Sequence, residues 1–214
     1  MKKLSNKPVS GDYSNSLNNF VYAQISPKST CLDMGCWVGN LGEKLIKEKN
    51  CVVDGVDFKK EPLKIAQKKG YRNTYQVNLN NDPLDLSKIT EKYDYIIFAD
   101  VLEHLIDPST VLSAIKGNLK RGGHIVISLP NVAFLLNRIN LAQGKWNYKE
   151  FGTLDKTHLR FFTIFSGEKM VKDAGLQIVK VEPYNQFGIL RYLYPIDKLL
   201  PSILCYQFLL IAKK

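Results

Sequence analysis

Short apolar runs alternate with segments of helical spacing along most of the chain. CLDM (31–34) is an apolar run that stops at a glycine and predicts a strand. Residues 40–49 place Leu41, Leu45 and Ile46 at helical spacing, and CVVDGVDF (51–58) predicts the next strand. Pro62, just inside a segment opened by Glu61, starts a second helix, and Gly70 ends it. Tyr71 to Val77 and the β-branched, aromatic run YDYIIFA predict two further strands. Residues 108–120 form a helix with proline at its start and Gly122-Gly123 after its end, and HIVISLP follows as a strand. A leading helix is predicted over residues 13–25.

Strict βα alternation with short connections predicts a parallel sheet, helices on both faces and right-handed crossovers. Residues 131–165 break the rhythm. A helix at 166–174, closed by Gly175, precedes LQIVKVEP and CYQFLLIA, two strands that can pair antiparallel at the sheet edge. The expectation is one domain over 1–214 with insertions around 131–165 and 184–203.

Composition narrows the class. With 214 residues, 45% of them apolar and 23% charged, a globular domain with a full core is expected. The start, MKKLSNKPVSGDYSNS, has no apolar segment of a signal peptide, and FLLIA near the end is too short to span a bilayer. Cys31, Cys36, Cys51 and Cys205 lack metal-site spacing and read as free thiols in a reducing cytoplasm. Thirty Lys plus Arg against twenty Asp plus Glu give a formal charge of +10, much of it between Lys44 and Arg72. That stretch lacks interleaved aromatics and arginine forks, so it reads as solvated helix faces, and nucleic acid is not the expected partner.

The stretch LDMGCWVGNLG (32–42) is a strand, a glycine turn and a helix start. In open α/β sheets ligands bind at the carboxyl ends of the strands. Gly35 allows the sharp turn and Gly39 close backbone approach. Asp57 ends the second strand, 18 residues past Gly39, where a carboxylate can accept both hydroxyls of a ribose. A dinucleotide fingerprint GxGxxG fails at Trp37, which counts against a nicotinamide enzyme.

LDMGCWVGNLG, GVDF, YDYIIFADVLEHLIDP and LKRGGHIVISLPN together resemble the successive motifs of the class I S-adenosylmethionine (SAM)-dependent methyltransferases. The resemblance implies a Rossmann-like, doubly wound seven-stranded α/β sheet, mostly parallel with the last strand antiparallel, and S-adenosylhomocysteine as product. It implies that Asp33, Gly35 and Gly39 line the methionine side of the cofactor and that Asp57, followed by Phe58, holds the ribose. Asn78 and Leu79 would flank the adenine, and Asp100 would lie beside cofactor and acceptor. Asn78 departs from the commoner Asp, yet an amide both donates and accepts. The indole of Trp37 is expected outside the methionine path, against the leading helix or over the cofactor.

GKWNYKEFGTLDKTHLRFFT (144–163) is neither a regular strand nor an amphipathic helix. Long loops rich in functional groups are more often binding elements than linkers. Aromatic faces such as Trp146 and Tyr148 suit sugar rings and flat acceptors, and Arg160 suits anions and hydroxyls. His158 is one of three histidines and sits in a polar cluster. Methyl transfer to a hydroxyl needs an acceptor held in line and a base for its proton. The expectation makes His158 that base, its ring oriented by Asp155 or another carboxylate. Together with SLPNV, the segment resembles a bacterial methyltransferase subgroup that accompanies glycosyltransferases in surface polysaccharide and O-antigen assembly. That implies a sugar or nucleotide-sugar acceptor. Asp100, Glu103 and His104, with His158, resemble a divalent-metal constellation of some methyltransferases. The expectation here is no metal: Glu103-His104 stabilise the helix start after strand four, with His104 facing the acceptor. An RNA methyltransferase and a SAM-binding protein without catalysis stand as alternatives. The aromatic insertion FGILRYLYPIDKLLP is either an acceptor wall or a homodimer patch.

Overall fold

The computed structural model describes residues 19–81, 83–184 and 200–214. Residues 19–24 form helix α1; the earlier part of the expected leading helix lies outside the described residues. There follow β1 (Thr30–Met34), α2 (Asn40–Lys49), β2 (Val52–Asp57), α3 (Lys60–Lys68), β3 (Thr74–Gln76) and β4 (Tyr93–Ala99). Then come α4 (Pro108–Ile115), β5 (Leu119–Pro130), α5 (Leu135–Ala142), α6 (Ile164–Asp173), β6 (Gln177–Tyr184), α7 (Pro201–Leu204) and β7 (Gln207–Lys213).

The seven strands make one sheet in the order β3-β2-β1-β4-β5-β7-β6. Strands β1 to β5 are mutually parallel, and β7 runs antiparallel to both β5 and β6. This is the expected doubly wound sheet with an antiparallel last strand. The period of two places alternate side chains on opposite faces. Leu32, Met34, Ile96, Phe98, Ile125 and Ile127 pack on one face with Val111, Leu112 and Val171. Cys31, Val53, Ile97 and Val126 pack on the other with Val21, Leu45 and Leu63. Both faces are therefore dry, which is why the strands read as continuous apolar runs.

A buried acid ties three neighbouring parts of the sheet together. Asp54 on β2 is fully buried and accepts from Arg72 Nε at 3.0 Å, Asn73 N at 3.0 Å and the Tyr93 hydroxyl at 2.8 Å. Arg72, counted above with the solvated lysines, is thus one half of an ion pair with a buried carboxylate.

The elements depart from the expected boundaries for local reasons. β3 begins at Thr74, not Tyr71, because Tyr71 turns its ring into the core under α2. The helix expected over 108–120 stops at Ile115 and gives way to a 3-10 turn, Lys116–Asn118. β5 starts earlier than expected and carries Gly122-Gly123 through a register shift against β4; a Cβ on Gly123 would come within 2.9 Å of the Tyr93 carbonyl oxygen. Helix α5 was not foreseen. It buries Asn137, whose amide donates to the Val132 carbonyl and to Thr153 Oγ1, and exposes Leu136 and Ile139. Its polar position faces inward, so hydrophobic periodicity does not reveal it. Among the described residues, no helix is long and apolar enough to cross a membrane.

Candidate functional site

The carboxyl ends of β1, β2 and β4 open into a cleft made of two adjoining cavities. One, about 620 Å³, is lined by Asp57, Phe58, Asn78, Leu79, Val101 and Ile106. The other, about 280 Å³, is lined by Asp33, Asn40, Glu103, Phe151, Asp155 and His158. Gly35, Trp37, Asp100 and His104 line both, so the two are halves of one cleft.

The loop from β1 to α2 is built on left-handed backbone at Gly35 (φ 70°), Trp37 (φ 49°) and Gly39 (φ 75°). Glycine takes such values freely; Trp37 does so at a cost of about 1–2 kcal/mol. The carboxylate of Asp57 offsets that cost. Its Oδ2 accepts from Trp37 N at 3.0 Å and its Oδ1 from Lys59 N at 2.9 Å. Each carboxylate oxygen keeps a further lone pair for a ligand hydroxyl. The Trp37 indole is half exposed, lines both cavities and has the Lys59 ammonium 4.8 Å from its ring centroid.

Asp33 ends β1's inward side and is buried; its Oδ2 accepts from the Tyr71 hydroxyl at 2.6 Å. Burial pushes its carboxyl up to about 7, against the pull of that hydrogen bond. Asp100 follows β4 with φ 53° and accepts from Ser128 Oγ at 2.8 Å and Gln207 Nε2 at 3.0 Å. Burial pushes it up to about 6. Asn78 is exposed at the cavity edge, and its Oδ1 accepts from Asn80 N in an Asx turn. Asn80 in turn bonds the His104 carbonyl and Ile106 N, which joins the loop after β3 to the loop after β4.

The segment 144–163 reaches the cleft because Leu159 N and Arg160 N both donate to the Glu103 carbonyl, at 2.8 and 3.0 Å. This docking brings His158 Nε2 to 4.0 Å from Glu103 Oε1 and its ring centroid to 4.9 Å from that of His104. Burial, then the neighbouring His104, lowers His158 to about 4, so the imidazole is neutral at pH 7. Burial, then the Asp100 charge, raises Glu103 well above the usual carboxylate range. Glu103 Oε2 and His158 Nδ1 are buried, and neither meets hydrogen-bond geometry with a protein atom among the described residues. Asp155 lines the same cavity, but its Oδ1 accepts from Thr157 N and Thr157 Oγ1, both at 2.7 Å. The carboxylate facing the His158 ring is Glu103. One donor atom each from Glu103, His104 and His158 lie within 4.8 Å of one another, close enough to bracket a divalent cation.

The other acceptor candidates lie further out. Trp146 and Tyr148 pack on Phe161, with centroids 5.5 and 6.3 Å away, and neither lines the two cavities. Phe161 stands 6.2 Å from His158 and backs that ring. Arg160 donates through Nε and Nη2 to the Ile106 carbonyl and faces a separate depression beside Asp107. The expected wall at 184–203 lies mostly outside the described residues. Phe151 of the 144–163 segment lines the smaller cavity, while sequence reasoning missed Tyr71, Ser128 and Gln207, which hold the acids. None of these three carries a motif signal; each is brought in from a distant part of the chain.

A family profile described as "Methyltransferase domain" matches residues 10–181. A ubiquinone biosynthesis O-methyltransferase of Vibrio vulnificus (strain YJ016) is 35% identical over 104 residues, covering 47% of this chain and 43% of that protein. The protein of the same name from Aeromonas salmonicida (strain A449) is 32% identical over 154 residues, 69% of this chain and 62% of its own length. The chain therefore spans less than two thirds of the length of these relatives. A solved SAM-dependent methyltransferase from Archaeoglobus fulgidus shares the fold at a TM-score of 0.64 and 21% identity, over 94% of this chain and 93% of the other.

Proposed function

The chain belongs to the methyltransferase-domain family, and on that footing we propose that it transfers the methyl group of SAM to an oxygen of a small-molecule acceptor. The observation that supports this most is the single cleft whose two halves differ in chemistry. The larger half pairs Asp57 with an apolar lining that includes Phe58 and Leu79, which suits a ribose and an adenine. The smaller half sets Asp33 and Asp100 beside a neutral His158. Two acids, Asp100 at the junction and Asp33 beside it in the smaller half, suit a donor that carries positive charge, so the donor set fits SAM.

The sulfonium of SAM supplies an already activated methyl group. The protein must bind the donor, orient the acceptor and take one proton. In this reading Asp57 holds the ribose hydroxyls while keeping Trp37 and Lys59 in place. Asn78 and Leu79 flank the base. Phe151 and the 144–163 segment shield the acceptor half from water. As the acceptor oxygen forms its bond to the methyl carbon, its proton passes to His158, whose lowered pKa keeps a nitrogen free to receive it. Glu103, whose carboxyl faces the ring at 4.0 Å, orients it.

The oxygen assignment is supported by relatives named as O-methyltransferases. A sugar or nucleotide-sugar acceptor is the finer reading from the LDKTHLRFFT stretch, and it rests on that stretch alone. The test is transfer of labelled methyl from SAM to two panels, hydroxylated aromatics and sugar nucleotides. Label on an aromatic hydroxyl supports the general reading and removes the sugar one. Absence of SAM binding in calorimetry refutes both.

A further inference from the structure

Tyr71 has no place in the function described so far, yet three separate backbone segments are shaped around it. A Cβ on Gly42 of α2 would lie 2.1 Å from its hydroxyl oxygen, one on Gly39 of the loop 2.7 Å from Cε2, and one on Gly55 of β2 2.8 Å from Cδ1. Gly42 sits inside a helix, where glycine costs about 1 kcal/mol relative to alanine. The ring volume accounts for the cradle, and a phenylalanine would fill it equally. The hydroxyl needs its own explanation. It donates to Asp33 Oδ2 at 2.6 Å and accepts from Gly42 N at 3.1 Å, an amide in the first turn of α2. Both bonds are buried. An amide that donates into a hydroxyl polarises it and strengthens its own donation to the acid.

We propose that Tyr71 is a positioning residue of the donor site: its hydroxyl relays the first-turn amide of α2 to Asp33 and holds that carboxylate in the cleft as the counter-charge to the cationic methionine end of SAM. The proposal rests on the SAM reading above. The groups facing Asp33 make the hydroxyl matter. Asp57 on β2 opposes the charge, the buried thiols of Cys31 and Cys36 offer it no cation, and Tyr71 supplies the hydrogen bond that favours it. Without the hydroxyl, burial would leave Asp33 protonated at neutral pH.

The experiment is SAM affinity by calorimetry between pH 5.5 and 9 on the full chain, for wild type, Tyr71→Phe, Asp33→Asn and the double variant. Wild-type affinity is expected to fall as pH drops through the neutral range. In Tyr71→Phe the midpoint moves up by about one to two pH units, the size of a hydrogen bond to a charged group. Affinity at pH 7.5 is then about three- to 25-fold weaker, while at pH 9 the gap narrows to about twofold or less. Asp33→Asn alone should remove the limb near pH 7 and leave only that of Asp100 near pH 6, and Tyr71→Phe should add little on that background. Superimposable wild-type and Tyr71→Phe profiles refute the proposal. So does an acid limb with its midpoint near 7 that survives Asp33→Asn, a result that stands whether or not Tyr71→Phe folds, and so does an equal loss from Tyr71→Phe on both backgrounds, the mark of a purely structural role. A wild type that does not bind SAM refutes the functional reading itself.

Discussion

Asp33→Asn should stabilise the ligand-free protein, by an amount that grows with pH. The carboxyl is 3% exposed and is pushed up to about 7 from 3.8. The sign follows from proton counting. Between those values the folded chain keeps a proton that the unfolded chain has lost, so stability falls as pH rises. The penalty is absent below the unfolded value and complete above about 7. At about 1.4 kcal/mol per pH unit, that interval amounts to about 4 kcal/mol as an upper bound. Asparagine matches the shape, can still accept from the Tyr71 hydroxyl and carries no charge to desolvate. Urea denaturation without ligand at pH 4.5 and pH 8 reads the effect. At pH 4.5, just above the unfolded value, the variant should lead by no more than about 1 kcal/mol. At pH 8 the variant should unfold about 1 M later, for a gain of about 2–4 kcal/mol and a slope of about 2–3 kcal/mol/M. A variant less stable at pH 8, or a difference equal at both pH values, would refute the argument that burial governs this acid. SAM affinity should fall in the same variant, a stability–function trade at one residue.

Three further outcomes follow from the geometry. Asp57→Ala removes the acceptor of Trp37 N and Lys59 N as well as the proposed ribose partner; it should abolish measurable SAM binding in calorimetry and lower stability by about 1–3 kcal/mol, and unchanged affinity would remove Asp57 from the ribose. His158→Ala should lower kcat about 10²–10⁴-fold with SAM affinity retained, and an enzyme with full turnover would clear His158 of proton transfer; activity that disappears in chelator would instead point to a cation held by Glu103, His104 and His158. Gly42→Ala gains about 1 kcal/mol of helix propensity but sets a Cβ 2.1 Å from the Tyr71 hydroxyl; overpacking should win by about 1–2 kcal/mol, lowering Tm by about 2–8 °C, and a raised Tm would show that the cradle yields.

The strands and helices of the sheet were legible because each is written in a local period. Strands buried on both faces appear as apolar runs, and α2, α3 and α6 carry their stripes and end signals within ten residues. The glycine loop and the acid that wall the larger cavity were legible for a related reason. Gly35, Gly39 and Asp57 lie on successive turns of one βαβ unit, so short-range spacing already places them together. Helix α5 was not legible, since it turns Asn137 inward and its leucines outward.

What composition could not convey is which polar groups meet. Trp146, Tyr148, Asp155, Arg160 and His158 crowd one segment, yet the fold turns His158 and Asp155 into the cleft, packs the two aromatics against Phe161 and ties Arg160 to the Ile106 carbonyl. Tyr71 reaches Asp33 across 38 residues and Gln207 reaches Asp100 across 107. The sequence by itself determined the alternation of elements, the parallel sheet and the nucleotide-type loop, because backbone periodicity and glycine stereochemistry act over a few residues. Only the tertiary structure decided that Glu103 faces His158, that Tyr71 supports Asp33 and that Trp37 stands between the two halves of the cleft. Those pairings depend on how distant strands and loops are stacked, and burial then sets the charge each group carries.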